Sequence, residues 1–241
     1  MNSPGVSFVV FFKNLTNQPI HTVKNLKIAM SEISAVDFEI ILVRDGGERD
    51  YLVKEFVTTT CLQDNFKYIE LSDSVGVAGV FEKVIDCVKF SHTCVVPGNN
   101  PFTAESFKNI VRDFQTRDAV LGYRKNLLHA RPYPKIVASF CLTRLVKLTF
   151  YPSLNFIKDF HGLNLFRSEL VHRYAKLSRG HGIQISLIIP IHFSKGSIIQ
   201  VPVYNNLMRG GVHGSSFKFP KLKHIAFVIS DLIRLKRTFH R

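Results

Sequence analysis

A chain of 241 residues, 46% hydrophobic and 21% charged, is long enough to bury a core and too apolar to be disordered. No stretch reaches the roughly 18–20 uninterrupted apolar residues of a spanning helix, and Met-Asn-Ser-Pro-Gly runs straight into a strand-like segment, so no secretory signal is expected. The net charge of +14 is one-sided: residues 1–120 hold 12 Lys/Arg against 15 Asp/Glu, and residues 121–241 hold 20 against 3. Such a basic half suits phosphorylated substrates, anionic lipid or nucleic acid. Nucleic-acid recognition wants aromatic and basic residues interleaved, and here the aromatics lie mainly within apolar runs, so no nucleic-acid partner is expected. Cys61, Cys87, Cys94 and Cys141 lack Cys-x-x-Cys spacing and sit mostly in apolar runs, which reads as reduced, buried thiols in a cytosolic protein. The histidines show no metal-ligand spacing, and His161, His172 and His181 read as structural or solvent-facing.

In chain order, Val6–Phe12 predicts a strand that stops at Lys13-Asn14, followed by a helix over roughly 20–34 carried by Ile20, Val23, Leu26, Ile28 and Ile33. Phe38–Val43 predicts a second strand, ending in Arg44-Asp45-Gly46-Gly47, with another helix starting over Tyr51–Val57. Tyr68–Leu71 reads as a short strand, Val75–Phe90 as a helix, and Thr93–Val96 as a strand running into Pro97-Gly98-Asn99-Asn100. Thr103 is a candidate N-cap for a helix to about Phe114, with Ser106 where Glu or Gln would complete a capping box, and Asp118–Tyr123 follows as a strand. This alternation predicts an α/β fold with a mostly parallel sheet, and such sheets bind ligands at the carboxyl ends of their strands. The second half differs. Residues 135–150 and 221–237 are apolar with embedded cations, the pattern of ordinary surface helices packed on the sheet or, taken as two together in the basic half, of basic amphipathic helices that lie in a bilayer interface.

At the strand-end loops the sequence resembles the inverting family 2 glycosyltransferases, in particular the branch that moves a sugar from a nucleotide onto a polyprenyl phosphate. Val6–Leu15 resembles that family's opening strand, Phe38–Gly47 its E-I-I-V-V-D-D-G-S, and Ser74–Ala78 its N-x-G-x-A. Leu121–Arg124 resembles the G-x-R strand end, and Asp159–Arg167 the D-x-x-S-G-F-R-L-F-R stretch with one residue fewer. Val201–Tyr204, Arg209 and Gly214–Phe217 resemble the elements before its C-terminal amphipathic helix. The resemblance implies one GT-A domain over residues 1–220, with a nucleotide-sugar half at 1–124 and an acceptor half at 125–220, then a basic amphipathic helix at 221–241. It further implies a glycosyltransferase working peripherally at the cytoplasmic face of a membrane, with a nucleotide-sugar donor and a lipid-phosphate or glycan acceptor.

The departures fall on chemical positions. Where the family has the metal-binding D-x-D, this chain reads Pro97-Gly98-Asn99; Arg44 replaces the first of two paired aspartates; and residues 180–188 lack the acid often found there. In the opening loop Lys13 stands where tyrosine is usual and Leu15 where an acid is usual. An amide oxygen can bind Mg²⁺ or Mn²⁺ but supplies no charge, so metal-independent chemistry is expected. Lys13, Arg44, Arg124 and Arg209 then become the cations that stabilise the leaving diphosphate; alternatively the site has degenerated and the chain is a binding or assembly partner. A phosphate acceptor is already ionised and needs little general-base help. A nucleotidyltransferase would show a glycine-rich turn after the first strand, and Lys13-Asn14-Leu15-Thr16 has no glycine.

The candidate nucleotide-sugar contacts are therefore Phe11, Lys13, Asn14, Asp45, Gly76, Gly98 and Asn99. Asp45, at a strand end, can accept from a base or ribose, or simply form the turn. Asp45, Arg124 and Arg209 are the catalytic candidates; Arg167, Arg209, His213, Ser215 and Ser216 are the acceptor-phosphate candidates. The last four lie in or beside a glycine-rich segment able to present N–H groups and hydroxyls to a phosphate.

Overall fold

The computed structural model describes residues 3–13, 18–33, 35–47, 51–60, 64–126, 133–178, 182–206 and 222–239. The first half alternates as β1 (Ser3–Phe12), α1 (Gln18–Ser31), β2 (Phe38–Asp45), α2 (Tyr51–Thr60), β3 (Phe66–Leu71), α3 (Gly76–Val84), β4 (Phe90–Pro97), α4 (Ala104–Val111) and β5 (Ala119–Arg124). Then come α5 (Tyr133–Thr149), β6 (Asn164–Arg167), α6 (Ser168–Tyr174), α7 (Ile183–Phe193), β7 (Ile198–Val203) and α8 (Leu222–Phe239). The strands form one sheet in the order β3-β2-β1-β4-β6-β5-β7, parallel throughout except for β6, which runs antiparallel to both β4 and β5. Alternate residues feed two cores. Val9, Ile41, Val95 and Leu121 pack with Phe81 of α3, Val146 of α5, Leu187 of α7 and Leu232 and Leu235 of α8. On the other face Phe8, Val10, Leu42 and Val96 pack with Leu26 of α1, Val53 of α2 and Phe107 of α4.

The expected helix over 75–90 is shorter: α3 gives way to a 3₁₀ turn at Ile85–Cys87, Val88 is extended, and β4 already begins at Phe90. The Thr103 cap forms, its hydroxyl accepting from the Ser106 N–H at 3.4 Å, and α4 ends at Val111 rather than near 114. Cys94 is buried as expected, and burial pushes its thiol pKa up, but Cys87 and Cys141 are exposed because they fall on the 3₁₀ turn and the outer side of α5. The two halves read from the sequence share one sheet, since β6 and β7 of the second half pair with β4 and β5 of the first. Nor is α8 a separate tail. Besides Leu232 and Leu235, its buried Asp231 bonds the Ser178 hydroxyl at 3.2 Å and pairs with Arg234 at 3.1 Å. No helix among the described residues is long and apolar enough to cross a membrane.

Two glycines let the chain cross the end of β5. A Cβ on Gly162 would lie 1.5 Å from the Gly122 carbonyl oxygen, and one on Gly122 would lie 2.4 Å from that of Leu163. The Gly122 N–H donates to the Leu163 carbonyl at 2.8 Å, so the segment that carries Asp159 is laid directly over Arg124.

At the opposite end of the sheet, His92 is buried against Phe114, with Nε2 2.9 Å from the Arg117 carbonyl and Nδ1 3.0 Å from the Ser91 hydroxyl. These partners assign the Nε2–H tautomer. Burial, which outweighs the bond to the Arg117 carbonyl, holds its pKa below the ordinary 6.5. The unfolded chain therefore takes up a proton first, and this contribution to stability is present above pH 6.5 and is lost as pH falls from there through the folded pKa. The thermal midpoint should fall between pH 7.5 and 5.5, and His92→Gln should flatten that slope in calorimetric melts across the range.

Candidate functional site

Because β1, β2, β4 and β5 are mutually parallel in direction, their carboxyl ends lie along one edge of the sheet. Asp45, at the end of β2, is buried, and its carboxylate organises the turn before α3. Oδ1 accepts from the Val75 N–H at 2.7 Å, and Oδ2 from the Gly76 N–H at 3.0 Å and the Ser74 hydroxyl at 3.1 Å. Asp45 thus holds the Ser74–Gly76 turn, with three of its acceptor sites occupied inside the protein. Gly76 supplies the left-handed φ of +70° at the start of α3, and the space where its Cβ would stand is open.

Arg44 is not a free cation. Its Nη2 pairs with Glu70 on β3 at 2.5 Å, and its Nη1 donates to the Gly46 carbonyl at 3.4 Å and to the Gly47 carbonyl. The register sets Arg44 opposite Glu70, so an arginine at this strand end is drawn across the sheet, away from the diphosphate role read from the sequence.

The Pro97–Asn100 loop is held by amides. The Gly98 N–H donates to the Phe11 carbonyl at 2.7 Å, and a Cβ on Gly98 would lie 2.8 Å from that of Phe12, so only glycine brings this loop so close to β1. Asn100 takes a left-handed φ of 49°; its N–H donates to the Thr22 hydroxyl at 3.0 Å, and its side-chain oxygen accepts from Asn25 at 2.9 Å. From beyond β7, Asn206 donates to the carbonyls of Asn100 and Phe102, each at 2.9 Å, and Asn205 donates to that of Pro101 at 3.0 Å. Asn99 projects from this staple, exposed; Lys13 is exposed nearby at the end of β1, and Phe11 is half-buried.

Arg124, at the end of β5, forms a two-pronged pair with Asp159: Nε to Oδ2 at 2.6 Å and Nη2 to Oδ1 at 2.9 Å, with Nη2 also 3.0 Å from the Ser139 hydroxyl of α5. Burial by itself would raise the Asp159 pKa, but the Arg124 charge, its hydrogen bonds and the His161 N–H outweigh that and hold it below the usual carboxylate range. Arg124 is thus clamped, its charge matched by Asp159 inside the protein.

Arg167 is corrected outright. It ends the antiparallel β6 and faces His92 in the register, whereas the candidate loop follows Pro97 on the same β4 strand. Five residues of strand separate the two, about 16 Å. Arg167 pairs there with Asp118 at 3.1 Å and takes no part in the site. Asn14, Arg209, His213, Ser215 and Ser216 lie outside the described residues.

Residues that sequence reading passed over complete the edge: Asn25, Asn100, Asn205 and Asn206, which are unremarkable amides until folded together, and Tyr123, Lys125 and Lys158. The run Tyr123-Arg124-Lys125 at a strand end, in the basic half, was the available signal for the last group. The donor set does not fit a divalent cation. Its loop offers only amide and carbonyl oxygens, Asp45 is engaged, and among the described residues no group of three or more His, Cys, Asp or Glu could hold a metal.

No family model and no curated protein sequence matches the chain. Solved structures do match. Glucosyl-3-phosphoglycerate synthase from Mycobacterium tuberculosis, seen with Mn²⁺, UDP and glucosyl-3-phosphoglycerate, superposes over 96% of this chain and 80% of its own, at 13% identity and a TM-score of 0.63. Mannosyl-3-phosphoglycerate synthase from Rubrobacter xylanophilus covers 98% of this chain and 75% of its own, at 14% identity and a TM-score of 0.68. TarS (residues 1–349) from S. aureus, in complex with UDP-GlcNAc, covers 98% and 68%, at 14% identity and a TM-score of 0.65. The sheet order, the flanking helices and these superpositions give the chain a GT-A fold.

Proposed function

We propose that the chain transfers a sugar from a nucleotide-sugar donor to a phosphate-bearing acceptor at a membrane surface, without a divalent metal. The observation that carries the reading is the amide-stapled Pro97–Asn100 loop. It is pre-formed at the strand edge by Thr22, Asn25, Asn205 and Asn206, at the place where the D-x-D of the resembled family would sit. A loop ordered by its own hydrogen bonds does not need an ion to shape it, and preorganised groups are what stabilise a departing diphosphate. Lys13, exposed beside the loop, and Arg209, three residues after Asn206, are the cations we assign to it. Two of the similar structures are synthases of a glycosyl-3-phosphoglycerate, a phosphate-bearing compound, which supports a phosphate-bearing acceptor here; the polyprenyl form rests on the sequence resemblance.

The test is a calorimetric and thermal-shift panel of nucleoside diphosphates and nucleotide sugars, with Mn²⁺ and with EDTA, followed by transfer to farnesyl phosphate. At least one nucleotide should bind with an affinity unchanged within about twofold on chelation. Loss of all nucleotide binding in EDTA would overturn metal independence. A second reading, a degenerate assembly partner, is favoured by one observation: Asp45, Arg44, Arg124 and Asp159 are all committed to internal partners. No nucleotide binding and no transfer with any donor would reject the transferase and favour this second reading.

The membrane part rests on α5 and α8, which touch one another. On α5, Leu148 is 74% and Phe140 57% exposed, and Phe227, Ile229 and Ile233 of α8 are exposed as well, among Arg144, Lys147, Lys236 and Arg237. Apolar side chains ringed by cations match the interface of an anionic bilayer. Vesicles containing phosphatidylserine should sediment the protein in low salt, less so at high ionic strength. Phe140→Ser/Leu148→Ser should weaken binding about tenfold or more, by removing two inserting groups. Equal binding to neutral and anionic vesicles would count against it. Deleting α8 is a poor test, because Leu232 and Leu235 belong to the core.

A further inference from the structure

One cation cluster at the strand edge makes no ion pair among the described residues. Two ammonium groups share the Tyr123 ring near the end of β5: Lys158 Nζ lies 4.2 Å and Lys125 Nζ 5.5 Å from its centroid. Both lysines are exposed. Two like charges beside one ring repel weakly in water, and an anion between them would turn that into attraction, but the second half of the chain has little to offer. Its three carboxylates are each held by an arginine: Asp159 by Arg124, Glu169 by Arg173 and Asp231 by Arg234. No ion pair among the described residues involves either lysine.

The position is equally specific. β5 points the same way as β4 and lies two strand spacings from it, roughly 10 Å. The lysines thus stand beside the Pro97–Asn100 loop, on the side away from β1 and β2. The backbone around them is fixed: the Lys125 N–H donates to the Val203 carbonyl at 3.0 Å, and that of Lys158 to the Gln200 side chain at 2.7 Å. Phe156, two residues before Lys158, and Tyr151 in the same segment are exposed.

We propose that Lys125 and Lys158, set over Tyr123, bind the phosphate group of the acceptor. The name acceptor rests on the transferase reading above; the phosphate site itself does not. A phosphate monoester offers several anionic oxygens to two such ammonium groups, and contact with the ring leaves each ammonium hydrogens free to donate. The phosphate can be that of a lipid, whose chain would then run along Phe156 and Tyr151, or that of a small phosphorylated metabolite.

Titration calorimetry on the full chain separates these sources, using farnesyl phosphate below its critical micelle concentration, 3-phosphoglycerate, and uncharged farnesol. Farnesyl phosphate or 3-phosphoglycerate should bind the wild type, and farnesol at least tenfold more weakly. Lys125→Ala and Lys158→Ala should each weaken binding about tenfold, and the double variant about a hundredfold, as for lost charge-assisted hydrogen bonds. Lys83→Ala, an exposed lysine at the end of α3, should change nothing. Tighter binding of farnesyl phosphate identifies a lipid acceptor, and equal or tighter binding of 3-phosphoglycerate a soluble one; both uphold the site. Neither phosphate binding, or a double variant that binds like the wild type, overturns it. Phosphate binding that depends on the lysines in a protein that binds no nucleotide would reject the transferase reading and leave this site standing.

Discussion

Arg124→Ala should cost the fold about 3–5 kcal/mol, the loss typical when one member of a buried ion pair is removed. The guanidinium is 1% and the Asp159 carboxylate 11% exposed, so solvent can replace little of the lost charge. What remains for Asp159 is the His161 N–H at 2.8 Å. The effect has a pH signature. In the wild type the Asp159 pKa is held below the ordinary 3.8. Its contribution is therefore fully present above pH 3.8 and is lost as pH falls through the lower, folded value. Without Arg124, burial dominates and pushes the carboxyl up instead, so the variant should begin losing stability at a higher pH than the wild type. Chemical denaturation from pH 3 to 7 measures both. Arg124→Met/Asp159→Leu should recover most of the loss, because an apolar pair of similar size leaves no charge stranded. Equal midpoints for wild type and Arg124→Ala at pH 7 would remove the clamp from the account.

Arg209→Ala should lower the rate of sugar transfer about a hundredfold with a thermal midpoint shifted by less than about 2 °C. A cation facing charge that develops only as the diphosphate departs contributes to the transition state by several kcal/mol and little to folding. The assay is transfer from the best-binding nucleotide sugar to farnesyl phosphate, with nucleotide affinity measured alongside. A fall in rate with nearly unchanged affinity supports the assignment. An unchanged rate would keep the enzyme and move diphosphate stabilisation to Lys13 alone.

The parallel strands of the first half were legible because Val6–Phe12 and Phe38–Val43 are short, β-branched and aromatic runs cut off by polar turns. α7 was not, for the opposite reason: Ile183–Phe193 is apolar all round, and a uniformly apolar run carries no period to tell helix from strand. It is helical because it is buried on every side, and even Pro190 sits inside it. β6 has only four residues and is defined by its neighbours, so its antiparallel direction, and with it the displacement of Arg167 from the site, had no local signal. Among site residues, Asp45, Gly76, Gly98 and Asn99 do cluster at the expected edge, since strand direction alone puts them there. Their roles were less legible. Whether Asp45 meets a ligand or a backbone turn depends on where Ser74–Gly76 folds back, and whether Arg124 is free depends on Asp159, brought over it by the Gly122–Gly162 crossing. Charge at a position reads from sequence; the partner that cancels it does not.

The placement of β6 also bears on how the chain is made. When β4 and β5 have left the ribosome they are not neighbours, because the strand that belongs between them begins only at Asn164. At ordinary elongation rates the roughly 70 residues from the end of β4 to the end of β6 take on the order of 4–14 s. Through that interval the nascent sheet ends in an open edge along Thr93 and Cys94, the positions later taken by Phe166 and Leu165. Such an edge pairs readily with the same strand of another nascent chain. Its closure depends on contacts distant in sequence, which form slowly. Crowding on the polysome should therefore lower the yield in a foreign host, and cooler expression with holding chaperones should favour soluble protein.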